Sequence, residues 1–113
     1  MKAENRMTNV FEAIPYEQNR MGRRELVHDK ELLLMQIALQ PGQAVPAHKA
    51  NSNVHLLLLA GQLEVDLAGQ VHRLKTGDLL PVAYDTPMEI RNAEAENATF
   101  LVLKTPSPAA YKN

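Results

Sequence analysis

Few residues of this chain have side chains suited to chemistry. There are four histidines, His28, His48, His55 and His72, and no cysteine. Without a thiol there is neither a thiolate nucleophile nor a disulfide framework. Imidazole is the side chain whose proton moves near neutral pH, and it is a common donor to divalent metals. His48 and His55 share one stretch, PAHKANSNVHLLLLAG, and are the two that could act together. His28 falls at a strand-turn junction and reads as a surface residue. His72, between Val71 and Arg73, reads as part of a solvated strand face. Glu64 and Asp66 stand one residue apart in QLEVDL. Paired acids can do acid-base work, but on the polar face of an alternating strand they solvate it. Arg23 and Arg24 read as a basic, turn-like surface loop, with an anion site as the competing reading. No nucleophilic triad, phosphate loop or zinc pattern can be assembled from the remainder.

The elements that must position these residues are strands. Pro41-Gly42 is a turn signal, and the run Leu56 to Ala60, stopped by Gly61, is too short for an ordinary helix. Upstream, Leu33, Met35, Ile37 and Leu39 alternate with Leu34, Gln36, Ala38 and Gln40, the period of a sheet. Glu, Leu, Met, Gln and Ala in that segment also favour a helix, but the Pro-Gly turn follows at once. Leu26-Val27 reads as an earlier strand and Asp29-Lys30 as the turn between. After Gly61, Leu63, Val65 and Leu67 alternate with Gln62, Glu64 and Asp66. Ala68-Gly69 makes a hairpin turn, with Val71 and Leu74 resuming beyond it. TFLVLK, from Thr99 to Lys104, is a closing strand, and the two prolines of the tail end regular structure. Near the amino end NVFEAIPY reads as a short edge piece docked on the sheet.

With 113 residues and a net charge of -1, one domain of modest core is expected, with no electrostatic case for nucleic acid or membrane as a partner. The opening MKAENRMTNVFEAI lacks the apolar stretch of a signal peptide, and no run reaches the length of a membrane span. A soluble, cytoplasmic protein is the expectation. Residues 1–24 form the arm and edge segment, 32–103 the core and 105–113 the tail.

The spacing resembles the two motifs of the cupin family. The first reads glycine, five residues, His-x-His, three or four residues, glutamate, six residues, glycine. Gly42, His48 and Gly61 fit it, Ala50 takes the second histidine slot, and Val54, or His55 with the longer spacer, takes the glutamate slot. Only Val54 keeps Gly61 in register. The second motif reads glycine, five residues, Pro-x-Gly, two residues, histidine, three residues, asparagine. Gly77 and Asn92 occupy its ends, Ala83 and Asp85 its proline and glycine slots, and Met88 its histidine slot.

The resemblance implies an all-β fold, the cupin-type double-stranded β-helix, an antiparallel jelly-roll barrel with its site in the mouth. In metal-binding members the slots converge on one divalent ion. Here His48, Ala50, Val54 and Met88 supply one imidazole, a methyl, an isopropyl group and a thioether, which do not hold a divalent cation. The leading expectation is therefore a small-molecule pocket without a cofactor. His48, Ala50, Val54, Leu56 and Met88 should line it, with Gln36 and Tyr84 as further polar groups. The competing reading is an oxygenase or isomerase holding one Fe, Mn, Ni or Zn ion on His48 and His55. Another is a metal-free epimerase or lyase with His48 as base. Whether the protein is an enzyme stays open. If Val54 faces inward, then Leu56, Leu58 and Ala60 do too, while His55, Leu57 and Leu59 face outward. Two outward leucines need cover, so a homodimer is expected, with His55, Leu57 and Leu59 at the interface and the amino-terminal arm within reach of the partner.

Overall fold

A computed structural model describes residues 5–111. Nine strands are seen among the described residues: β1 (Gly22–His28), β2 (Leu33–Leu39), β3 (Ala44–Lys49), β4 (Asn53–Ala60), β5 (Gln62–Leu67), β6 (Gln70–Lys75), β7 (Leu79–Val82), β8 (Pro87–Arg91) and β9 (Ala98–Thr105). They form a five-stranded sheet in the order β1-β2-β9-β4-β7 and a four-stranded sheet in the order β3-β8-β5-β6. Every pairing is antiparallel. This is the expected all-β jelly roll. The segment with helix-forming composition, Leu33–Leu39, is a central strand, because ladders on both sides outweigh its local propensity. No helix among the described residues is long and apolar enough to cross a membrane.

One apolar core lies between the sheets. Met35, Ile37, Leu56, Leu58 and Phe100 of the larger sheet are buried together with Leu63, Val65, Met88 and Ile90 of the smaller one. Burying a side chain such as Phe100, which is fully enclosed, contributes about 1.5–3 kcal/mol. The alternation expected of β4 holds through Leu58, with Val54, Leu56 and Leu58 buried and His55 and Leu57 half-buried on the opposite face. At Leu59 the ladder to β9 slips, so that Ala60 rather than Leu59 pairs with Thr99. Such a bulge re-aims the strand end, and the expectation that Ala60 continues the inward row is corrected there.

Turn chemistry and two close approaches fix the frame. Ala68 (φ 51°) and Gly69 (φ 91°) both occupy the left-handed region, the geometry of a two-residue hairpin turn whose twist suits its strands. Gly61 (φ 87°) lies so near Ala98 and the Asn97 carbonyl that an added Cβ would collide with them. Asn92, buried, ties the two motif regions together. Its Nδ2 donates to the carbonyls of Leu39 (3.1 Å) and Glu96 (2.7 Å), its backbone carbonyl accepts from the Gly42 amide (2.9 Å), and its own amide donates to Gln43 (2.9 Å).

The segment read as a surface loop around Arg23 and Arg24 belongs to β1. Glycine and two arginines do not favour a strand locally, but Gly22, Arg23 and Arg24 pair with Ala38, Ile37 and Gln36 of β2. Residues 9–16 form no strand and dock through side chains instead. Arg24 donates to the carbonyls of Ala13 (3.2 Å) and Glu12 (3.1 Å), and Gln36 Nε2 donates to the Val10 carbonyl (2.8 Å). Gly22 permits this approach, since a Cβ there would overlap the Pro15 carbonyl.

Candidate functional site

Strand parity places a cavity between the sheets. Met35 and Ile37 on β2, Leu56 on β4, and Phe100, Val102 and Lys104 on β9 point inward from the larger sheet. Val45 and His48 on β3 and Met88 and Ile90 on β8 face them from the smaller one. The cavity measures about 140 Å³. Its polar groups are Arg23, His48 and Lys104, and no carboxylate lines it.

His48 stands opposite Met88 in the β3–β8 ladder. Its Nδ1 lies 2.9 Å from the Pro46 carbonyl oxygen. A carbonyl only accepts, so this bond puts the proton of the neutral ring on Nδ1 and leaves Nε2 as the acceptor. Met88 is buried beside it as an apolar wall. Arg23 Nη2 contacts Met35 Sδ (3.1 Å) and, more distantly, Glu25 Oε2 (3.4 Å). Lys104 Nζ donates to the neutral Asn51 Oδ1 at 2.9 Å. Burial, and then the positive charge of Arg23, pull the Lys104 pKa below its ordinary value.

Of the residues proposed for a pocket, His48, Leu56 and Met88 line the cavity. Four other expected residues do not. Gln36 lies between Met35 and Ile37 and therefore faces the opposite side of β2, under the amino-terminal segment. Tyr84 sits in the turn before β8 and is 59% exposed. Ala50 is buried, but its backbone is engaged by Thr86 and Asp85, which holds it in the packing of the β3–β4 turn. Val54 is buried on the same face as Leu56, one rung beyond the cavity, between Val82 and Lys104.

The alternative metal pair is not assembled. His55 is on the face of β4 opposite Leu56, so it points away from the cavity that His48 lines. Among the described residues no three His, Cys, Asp or Glu side chains converge in a way that could hold a metal ion. The donor set in the family's slots does not suit a divalent cation.

Two cavity cations escaped the sequence reading in different ways. Arg23 appeared as a loop residue, and Lys104 as the end of an apolar strand. Parity offered a signal for Lys104, since it shares its face with Phe100 and Val102. His72 also departs from expectation. It pairs with Val65 and shares its face with the buried Leu74, and among the described residues its buried Nδ1 has no partner. Glu64 does lie on the outer polar face. Arg91 Nε (2.9 Å) and Arg73 Nη2 (3.2 Å) bind it, and the Arg91 hydrogen bond leads in holding its carboxyl below the usual range.

The cupin domain family matches residues 35–104, most of the chain. The uncharacterised protein MJ0764 of Methanocaldococcus jannaschii is 32% identical over 85 residues, spanning 74% of this chain and 73% of that protein. The crystal structure from that organism, described as an RmlC-like cupin family protein with a double-stranded β-helix fold, superposes with a TM-score of 0.75 at 28% identity, covering 83% of this chain and 89% of the other. A Klebsiella pneumoniae protein with a double-stranded β-helix domain shares the fold with a TM-score of 0.84 at 20% identity, over 92% of each chain. With both motif frames in register on such a barrel, the chain belongs to the cupin family.

Proposed function

We propose that this cupin binds a small molecule in the cavity between its sheets and does so without a resident metal. The observation that carries the reading is the cavity itself, about 140 Å³, largely apolar and reached by three polar side chains. Apolar walls with a few converging polar groups are the usual composition of a small-molecule site. Among catalytic readings, proton transfer by His48, whose Nε2 the Pro46 contact leaves as the base nitrogen, is favoured over metal chemistry because the cavity lining supplies no second imidazole and no carboxylate.

Elemental analysis of protein purified without a metal-affinity tag tests the metal-free part. Less than about a tenth of an equivalent of iron, manganese, nickel or zinc is expected. Roughly half an equivalent or more, lost on His48→Ala, would overturn it.

We also propose that the outer face of the larger sheet joins two copies of the chain. Leu57 pairs with Leu79 on one side and Leu101 on the other, and His55 pairs with Pro81 and Leu103. Leu79 is 59% exposed. A strip built largely of leucine has no charge bias toward a partner of either sign and is complementary to itself.

A further inference from the structure

Given the small-molecule reading above, the lining of the cavity also bears on the charge of its ligand. Two cations, Arg23 and Lys104, reach a cavity that no carboxylate lines. Glu25 offsets Arg23 only at 3.4 Å and between half-exposed side chains, where such a pair is weak. Lys104 has a neutral amide oxygen as its partner, and among the described residues no carboxylate lies within 4 Å of its ammonium. A half-buried ammonium beside a guanidinium, without a counter-charge, is unfavourable in the empty protein and favourable once an anion arrives.

The remaining lining sets the body of that anion. Met35, Ile37, Phe100, Val102, Met88 and Ile90 present only carbon and thioether sulfur. A cavity of about 150 Å³ lined by such side chains takes up benzene, and this one is of similar size. We propose that the ligand is a small apolar monocarboxylate, with its charged end at Lys104 and Arg23 and a body of about benzene size between the sheets. His48 faces it from the opposite sheet as a third hydrogen-bonding group.

The test compares benzoate, benzyl alcohol and benzylammonium by calorimetric titration. It also follows the methionine methyl signals of the labelled wild-type protein by NMR. Benzoate should bind at least about tenfold more tightly than benzyl alcohol, with benzylammonium weakest, the order expected of a site that pairs a charge. Benzoate should shift Met35 and Met88, which line the cavity, and leave Met7, 95% exposed, in place. Lys104→Met should remove most of the preference for benzoate while sparing benzyl alcohol, and Lys104→Arg should restore it. Equal binding of benzoate and benzyl alcohol, with both shifting Met35 and Met88, would overturn the anion assignment and leave the cavity reading standing. No shift of Met35 or Met88 by any of the three at about 10 mM, about tenfold above a Kd of 1 mM, would overturn both. The wild-type shifts decide between these outcomes even if a variant fails to fold.

Discussion

Arg24 and Gln36 face each other across the β1–β2 ladder, and the Gln36 Oε1 accepts from both Arg24 Nε (2.9 Å) and Nη2 (2.7 Å). The Gln36 amide nitrogen then donates to the Val10 carbonyl (2.8 Å) and to Thr99 Oγ1 (3.0 Å), which in turn donates to the Ile37 carbonyl (2.9 Å). A fully buried amide with both ends satisfied thus joins the amino-terminal segment to the sheet. Such networks are stabilising when complete and costly when broken.

Gln36→Leu is accordingly expected to destabilise the fold by about 2 kcal/mol, since it removes the acceptor of Arg24 Nε and the donor to the Val10 carbonyl and leaves the Thr99 hydroxyl with the Ile37 carbonyl alone. Urea denaturation measures the loss, and hydrogen exchange of residues 9–13 should rise with it. A change below about 0.5 kcal/mol, within the range of ordinary surface substitutions, would show that the network does not hold the segment.

Asp85 occupies the family's Pro-x-Gly glycine slot and keeps the glycine geometry, with φ 69°. Aspartate tolerates the left-handed region better than most residues but still at a cost. Asp85→Gly should therefore stabilise the protein by about 0.5–1 kcal/mol, read as a rise of a few degrees in Tm. Its amide would still donate to the Ala50 carbonyl, so the turn should stay unchanged. A lower Tm would mean that the aspartate side chain contributes more than the backbone strain removes.

Strand parity explains both what the sequence disclosed and what it hid. Alternation was legible in β5 and in the second half of β2, β4 was legible as a short apolar run stopped by Gly61, and motif spacing located His48, Met88 and Asn92. Parity also sets Gln36 opposite Met35 and Ile37, a constraint that outweighs its polarity as a pocket candidate. Val71 and Leu74 are three residues apart and cannot share a face of a regular strand. The ladder turns Leu74 inward and takes His72 with it. Gly22–Arg24 was not legible as a strand, because its extended form comes from pairing with β2 and not from its own residues.

Lys104 supplies a pH prediction. Its folded pKa lies below the ordinary 10.5 through burial and then Arg23, so the unfolded chain binds more protons in the window between the two values. Stability then rises with pH across that window, and the penalty is complete below the folded pKa. Tyr16, whose pKa is raised by burial, acts in the opposite direction at alkaline pH. The difference between wild type and Lys104→Met isolates the lysine. If a carboxylate pairs with Lys104, benzoate affinity should fall as pH rises through that ionisation, while benzyl alcohol affinity stays level. A flat benzoate profile up to pH about 10.5, the unperturbed lysine value, would exclude the pairing.

The outer strip of the larger sheet yields the oligomer prediction. A strand with one face in water alternates apolar with polar residues, as β5 does, yet β4 carries Leu57 and Leu59 where polar residues would serve. The hydrogen bonds of residues 9–13 run to Arg24 and Gln36 on β1 and β2, not to β4. Leu57, Leu79 and Leu101 form a cross-strand row at the β9–β4–β7 end. Burying each leucine against a second copy would contribute about 1.5–3 kcal/mol before the cost of association. Light scattering coupled to size exclusion at micromolar concentration should therefore give twice the chain mass of 12.6 kDa. Leu57→Asp with Leu79→Asp should return the monomer mass with the strand signature of the circular dichroism spectrum retained. A wild-type monomer, or a dimer that survives both aspartates, would refute the interface.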